Sequence, residues 1–103
     1  MKASRPYYAV IFSSRLAPGA SGYHKMARKM ELLAKEQPGY LGFESARDEL
    51  GISISYWDSL KAIADWKANL EHEVAQEMGI KKWYEWYKVR VCEVQREYEF
   101  KPK

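Results

Sequence analysis

Few side chains in this sequence could perform acid–base or metal chemistry. It contains two histidines, His24 and His72, and one cysteine, Cys92. The helical pattern places His24 on a surface, and a cysteine in the middle of a strand is usually an inert, packed thiol. His72 lies between two glutamates near a predicted helix end, and a pKa near neutrality would let it exchange a proton at a pocket rim. The alternative for His72 is a plain surface histidine at a helix end.

Motifs of several enzyme classes are absent from the sequence. It has no glycine-rich phosphate loop, no HExxH pair and no nucleophile elbow. One cysteine forms neither an internal disulfide framework nor a cysteine-cluster zinc site. The sequence therefore predicts no resident metal.

Aromatic residues give the strongest signal. Bulky rings fill small cores and dimer interfaces, which is one interpretation of this clustering. The other is a pocket between sheet and helices whose aromatic walls hold a planar organic ligand. The rings concerned are concentrated in the second half of the chain: Tyr56, Trp57, Trp66, Trp83, Trp86 and Tyr87.

Composition indicates one soluble globular domain. The chain has 103 residues, of which 47% are hydrophobic and 30% charged, with a net charge of +3. Positive and negative residues alternate, which is typical of solvated faces and does not favour nucleic-acid binding. No apolar run reaches the length of a membrane span. The single cysteine and the lack of a targeting segment predict a reduced, cytoplasmic protein.

Residue periodicity predicts a strand at 7–12 that is buried on both faces, then a helix over 21–36 with Ser21 as its N-cap. Extended segments at 40–46 and 52–57 are joined by a hairpin turn at 48–51. In the second of these, Tyr56 and Trp57 take opposite faces.

The second half predicts a helix and a long final strand. The helix starts at 58–59 and continues to Leu70, and a shorter helical segment ending at Gly79 follows it. An extended run covers 83–100, and its apolar side changes near Cys92, which indicates either a bulge or a change of partner surface. The order β-α-β-β-α-β predicts the ferredoxin-like α+β arrangement, a four-stranded antiparallel sheet with two helices on one face.

Two helices cover only one face of such a sheet, yet the first strand is apolar on both. A second copy of the same sheet is the simplest cover for the other face, so we expect a two-fold homodimer. The long last strand is expected to contribute to the interface.

The sequence resembles the antibiotic biosynthesis monooxygenase domain. The resemblance lies in residues 54–59 running into 62–67, in Glu71-His72 with Ala75-Gln76, and in the segments 8–12 and 37–42. It covers about residues 7–98, so that 1–103 is one such domain with short tails. The family fold is the dimeric α+β barrel, which agrees with the pattern above.

The resemblance implies two kinds of chemistry. Some members oxidise aromatic substrates with molecular oxygen and no metal or flavin, and others bind and degrade haem. In the haem-degrading branch an asparagine, a tryptophan and a histidine surround the haem. Trp66 matches the tryptophan, Ser14 stands at the asparagine position, and Gln76 lies near the histidine position. His72, one helical turn earlier, is the nearby residue that could ligate haem instead.

The hypothesis that follows is a cofactor-independent monooxygenase acting on a small aromatic or quinol-type substrate, with molecular oxygen as co-substrate. Trp66 positions the substrate ring, His72 or Tyr56 handles the proton, and Ser14, Gln76 and Tyr87 line the site. A non-catalytic dimeric barrel that binds a small ligand or is structural is the alternative. Haem binding or degradation is a third, weaker hypothesis.

Overall fold

Strands and helices follow one another in the predicted order β-α-β-β-α-β. A computed structural model describes residues 6–20, 22–76 and 83–102, with side chains described throughout except at 72–76. The elements are β1 (Tyr7–Leu16), α1 (Tyr23–Lys35), β2 (Tyr40–Arg47), β3 (Gly51–Trp57), α2 (Leu60–Gln76) and β4 (Tyr84–Val94). The sheet order is β2-β3-β1-β4 with antiparallel neighbours, which confirms the ferredoxin-like α+β fold. The assignment of 1–103 to one domain stays a prediction.

The two helix starts differ in how well the sequence predicts them. In α2, the backbone N–H of Ala62 donates to the Ser59 hydroxyl at 3.0 Å, so Ser59 caps the helix whose start was predicted at 58–59. In α1, Gly22 is the N-cap, in a left-handed conformation with φ of 84°, and the predicted cap Ser21 lies outside the described residues. The predicted break after Leu70 is wrong, because α2 continues as one helix to Gln76. Gly79 lies outside the described residues.

The last strand is shorter than predicted. β4 ends at Val94, and the extension to residue 100 is wrong, because Tyr98 and Phe100 lie beyond the strand with 84% and 86% of their surface exposed. Of the two interpretations of the change near Cys92, the bulge is wrong, because Cys92 pairs in regular register with Ala9.

The apolar side chains of β4 change face along a strand that is regular at this point. Val89 and Val91 pair with Phe12 and Val10, whereas Cys92 points to the other side of the sheet. The register shift of this strand pair lies instead between Arg15 and Leu16 of β1. A change of apolar face therefore marked two different environments and not a bulge.

The sheet has one covered and one uncovered face. Trp57, on β3, packs against Ala34 of α1 and Ala62 of α2, which identifies its face as the covered one. Because Trp57 pairs with Tyr8, alternation along β1 gives the covered face Tyr8, Val10, Phe12 and Ser14. The face without helices, called the uncovered face, carries Tyr7, Ala9, Ile11 and Ser13, of which Tyr7 and Ala9 are nonetheless buried within the chain. No helix among the described residues combines the length and apolar character needed to cross a membrane.

The turn between α1 and β2 is fixed against the start of α2. Gly39 has φ of +88°, and its carbonyl accepts a hydrogen bond from the Asp58 N–H at 2.9 Å. A Cβ at this position would lie 2.5 Å from Asp58 Oδ1 and 2.6 Å from Ala62 Cβ. A glycine is required here both by the backbone conformation and by the close approach of α2.

Trp57 occupies the centre of the covered face. Its side chain is completely buried, and its Nε1–H donates to Ser55 Oγ at 2.9 Å. Its ring stacks on Trp66 with centroids 6.1 Å apart and meets Tyr40 edge-on at 5.7 Å. This indole therefore joins both helices to the sheet.

We expect Trp57→Ala to lower the free energy of unfolding by about 3–5 kcal/mol, because it removes a buried ring and leaves a cavity between three elements. Urea denaturation at equal protein concentrations measures this loss. Trp86→Ala is the matched control, because Trp86 is 43% exposed, and should cost less than about 1 kcal/mol. Equal losses in the two variants would contradict the central role of Trp57.

Candidate functional site

Four aromatic rings gather on the covered face where β1, β4 and the start of α1 meet. We call them the tyrosine cluster: Phe12, Tyr23, Tyr84 and Tyr87. Phe12 stacks on Tyr87 with centroids 5.2 Å apart and planes 16° from parallel, and it meets Tyr84 edge-on at 5.3 Å. Tyr84 meets Tyr23 at 5.7 Å and Tyr87 at 5.8 Å, both edge-on. These are the offset and edge-to-face geometries that aromatic pairs prefer.

A cation lies beside this cluster. The Nη2 of Arg47, at the end of β2, donates to the Ser14 hydroxyl at 2.5 Å. Its guanidinium carbon also lies 5.2 Å from the centroid of the Tyr23 ring, a cation–π distance. The Nη1 of Arg47 is buried and has no hydrogen-bond partner. Among the described residues, no carboxylate forms an ion pair with this guanidinium.

A glycine makes room for the Arg47 side chain. Gly51 pairs with Arg47 across the β2–β3 hairpin and with Ser14 across β3–β1. A Cβ at Gly51 would overlap the Arg47 guanidinium, so the side chain can cross the sheet only over a bare backbone. Ser53 is the next covered-face residue of β3, and it too is small. The Arg47 side chain thus lies over small residues at this end of the sheet.

The Tyr84 hydroxyl stays protonated at neutral pH. Burial raises its pKa well above the ordinary value, and repulsion from Tyr23 and a hydrogen bond with the Tyr23 side chain raise it further. The positive charge of Arg47 opposes this shift without reversing it. The Tyr84 hydroxyl is therefore a neutral, partly buried group that is hydrogen-bonded within the cluster.

Of the residues that the sequence singled out, Ser14 and Tyr87 come together. They form a register pair of β1 and β4 on the covered face, with Ser14 fully buried and Tyr87 47% exposed. Trp66 is on the same face but packs into the core around Trp57. Val10 and Phe12, two residues apart on β1, connect that core to the tyrosine cluster.

Tyr56 lies away from these residues, on the uncovered face. Its ring is 5.9 Å from that of Tyr7, and its hydroxyl donates to Glu44 Oε1 at 2.7 Å. Burial, followed by this hydrogen bond, raises the pKa of Tyr56 to about 12. Within one chain the structure therefore does not bring Tyr56 together with Trp66 or Ser14.

The two remaining candidates fall outside the described side chains. His72 and Gln76 belong to the last turns of α2, and nothing further is described at these positions. Their roles as proton carrier and pocket residue stay predictions. Within 6–20, 22–71 and 83–102, no group of three His, Cys, Asp or Glu side chains is arranged to hold a metal ion.

Arg47 is the main functional candidate that sequence reasoning missed. A charged residue beside a hairpin turn normally points into water, so its type drew no attention. The available signal was positional: pairing across the predicted turn sets Arg47 opposite Gly51, on the same face as Trp57. Tyr23, Tyr84 and Phe12 were also missed as site residues, because each fits an ordinary amphipathic pattern.

Comparisons with known proteins connect this chain to others of the same size. No family model matches the sequence. The chain is 51% identical over 94 residues to the uncharacterized protein YqjZ of Bacillus subtilis, a match that covers 89% of this chain and 82% of YqjZ.

Solved structures share the fold at low sequence identity. A variant of SnoaB, a cofactor-independent oxygenase from Streptomyces nogalater, superposes with a TM-score of 0.72 at 11% identity over 88% of this chain and 95% of that one. A candidate antibiotic biosynthesis monooxygenase from Bordetella bronchiseptica gives 0.69 at 13% identity over 91% of this chain and all of that one. The predicted likeness to antibiotic biosynthesis monooxygenases is confirmed at the level of the fold. By its sequence identity the chain belongs to the protein family of YqjZ, and its fold is that of the antibiotic biosynthesis monooxygenases.

Proposed function

We propose that the protein is a cofactor-independent monooxygenase that oxidises a small aromatic or quinol-type substrate on the covered face of its sheet. The observation that carries this proposal is the tyrosine cluster next to the buried Ser14–Arg47 pair, since flat rings and a few polar groups suit a planar organic ligand. The shared fold with SnoaB, described as a cofactor-independent oxygenase, supports the reaction type.

The reaction proposed here requires little of the protein. One oxygen atom of O₂ enters the substrate, the other leaves as water, and the substrate supplies all four electrons. The protein must exclude water from the ring, assist its deprotonation and hold it near oxygen. On this proposal, Phe12 and Tyr87 hold the ring, Trp66 backs the site from α2, and His72 is the candidate proton carrier.

The exposed edge of Tyr87 supports an entry route along β4. Tyr87 and Val89 expose 47% of their surfaces on the covered face, whereas Ser14 exposes none. A ligand that enters over Tyr87 would therefore move from a solvated edge towards the buried Ser14–Arg47 pair.

A non-catalytic barrel that holds the same ligand is the alternative function. The oxygen measurement below separates the oxygenase from this alternative.

The uncovered face supports the proposal of a homodimer. Ile11 and Ile54 are register partners on this face, and neighbouring Ile52 exposes 41% of its surface although no helix covers it. A second sheet would remove this apolar surface from water.

The half-buried free thiol of Cys92, the one cysteine of the sequence, supports assignment to a reducing, cytoplasmic location.

We expect oxygen consumption with at least one compound of a dihydroxyaromatic panel, measured with an oxygen electrode. Tyr87→Ala should reduce kcat/KM roughly two- to tenfold, the worth of one aromatic contact. Trp66→Phe and His72→Ala should reduce it further. Tyr98→Ala is the control, because Tyr98 is an exposed tyrosine beyond the strand. Absence of turnover with every compound would favour the non-catalytic alternative, and equal turnover in all variants would refute the residue roles.

The third hypothesis, haem binding through His72, has a separate test. Titration of the protein with haemin should leave the Soret band of free haemin unshifted if the cofactor-independent proposal is correct. A Soret shift that His72→Ala abolishes would support haem binding instead.

We expect sedimentation equilibrium at micromolar concentration to give about twice the 12.1 kDa chain mass. Ile11→Asp should return a folded monomer, because it adds a charge on the uncovered face. Val10→Asp should unfold the chain, because Val10 packs against the core of the covered face. Ala64→Asp, on the exposed side of α2, should leave the dimer intact. A wild-type monomer would refute the proposal.

A further inference from the structure

We propose that Arg47 is the anion-binding residue of the site, and that the ligand is a planar aromatic acid whose carboxylate or acidic oxygen pairs with the Arg47 guanidinium. This inference rests on the proposed site and narrows the substrate class from aromatic compounds in general to aromatic anions.

The hydrogen-bonding capacity of Arg47 is only partly used. A guanidinium carries five N–H donors in a planar fork. One nitrogen, Nη2, donates to Ser14, and Nη1 is buried without a partner. A buried N–H without an acceptor costs about 1–3 kcal/mol, and more when the group is charged. An incoming oxygen acceptor would remove this cost.

The missing partner is best supplied by an anion. No carboxylate among the described residues pairs with Arg47, so its positive charge is not neutralised by that part of the chain. Its other contacts are neutral: the Ser14 hydroxyl and the Tyr23 ring. Arginine binds carboxylates through two parallel hydrogen bonds, and such charge-assisted bonds are roughly twice as strong as neutral ones.

The surroundings of Arg47 favour a flat ligand. The guanidinium lies against Tyr23, and Tyr23 contacts Tyr84, which in turn contacts Phe12 and Tyr87. A ring placed beside these side chains would have its acidic substituent at the guanidinium end.

The position of the Arg47 side chain depends on the neighbouring residue Gly51 as well as on Arg47 itself. Gly51 provides the bare surface on which the guanidinium rests, and a methyl group there would displace it. This gives two independent ways to disturb the site: removal of the charge at Arg47, or displacement of the intact charge through Gly51.

The test compares two probes of similar size, 1-hydroxy-2-naphthoate and the neutral 1-naphthol, by tryptophan fluorescence quenching and calorimetry at neutral pH. Wild-type protein should bind the acid at least about tenfold more tightly. Arg47→Gln should abolish this preference and Arg47→Lys should retain part of it. Arg28→Gln, which removes an exposed arginine of α1, should leave the preference unchanged.

Gly51→Ala provides the second arm, because it keeps the arginine and its charge. It should reduce the preference for the acid as Arg47→Gln does, with little change in affinity for 1-naphthol. If Arg47→Gln fails to fold, the wild-type preference and Gly51→Ala decide the question alone. Equal wild-type affinities for the two probes, or a preference unchanged by Gly51→Ala, would overturn the inference.

Failure of this inference is distinct from failure of the proposed function. Oxygen consumption with neutral quinols and no preference for acids would leave the oxygenase and remove the anion site. Tight, Arg47-dependent binding of the acid without oxygen uptake would leave the anion site and remove the oxygenase.

Discussion

The indole of Trp57, on β3, contacts both helices. The distance between the helices and the sheet depends on this contact. Ala34 and Ala62 are small enough for α1 and α2 to approach the ring closely. The tight turn at Gly39 brings the same two helices together at one end of the sheet. The other end is then free for the start of α1, and there Tyr23 comes over Arg47. Aromatic packing at one end thus stands beside a buried polar pair, Ser14 and Arg47, at the other.

Element order and strand faces follow from the sequence, because they depend on local periodicity. Alternation assigned Tyr56 and Trp57 to opposite faces, and the structure agrees. Ser14 and Tyr87 could be proposed from family resemblance, and register places them side by side. The role of Arg47 could not, because it depends on register across three strands at once and on a missing Cβ at Gly51. The exact end of β4 also escaped prediction, because extended residues beyond the last paired one look the same in sequence.

Two phenols on the uncovered face are hydrogen-bonded to carboxylates. On the uncovered face, Tyr7 and Tyr56 donate to the carboxylates of Glu97 and Glu44. The hydrogen bond to Glu97 raises the pKa of Tyr7 to about 12, and burial raises that of Tyr56 to about 12, so both phenols remain neutral donors. These acidic groups lie across the sheet from Arg47.

The unpartnered nitrogen of Arg47 has a consequence for the energetics of the whole chain. A small domain has little stability in reserve, and an aliphatic side chain at this position would spare it a desolvated charge. The arginine is a point of local frustration at this end of the sheet, because its buried Nη1 donor has no acceptor. Occupancy would relieve that conflict, so the bound ligand would act as a missing piece of the core. On the proposal of an anion site, stability and recognition would be coupled through a single side chain, and a bound anion would stabilise the fold.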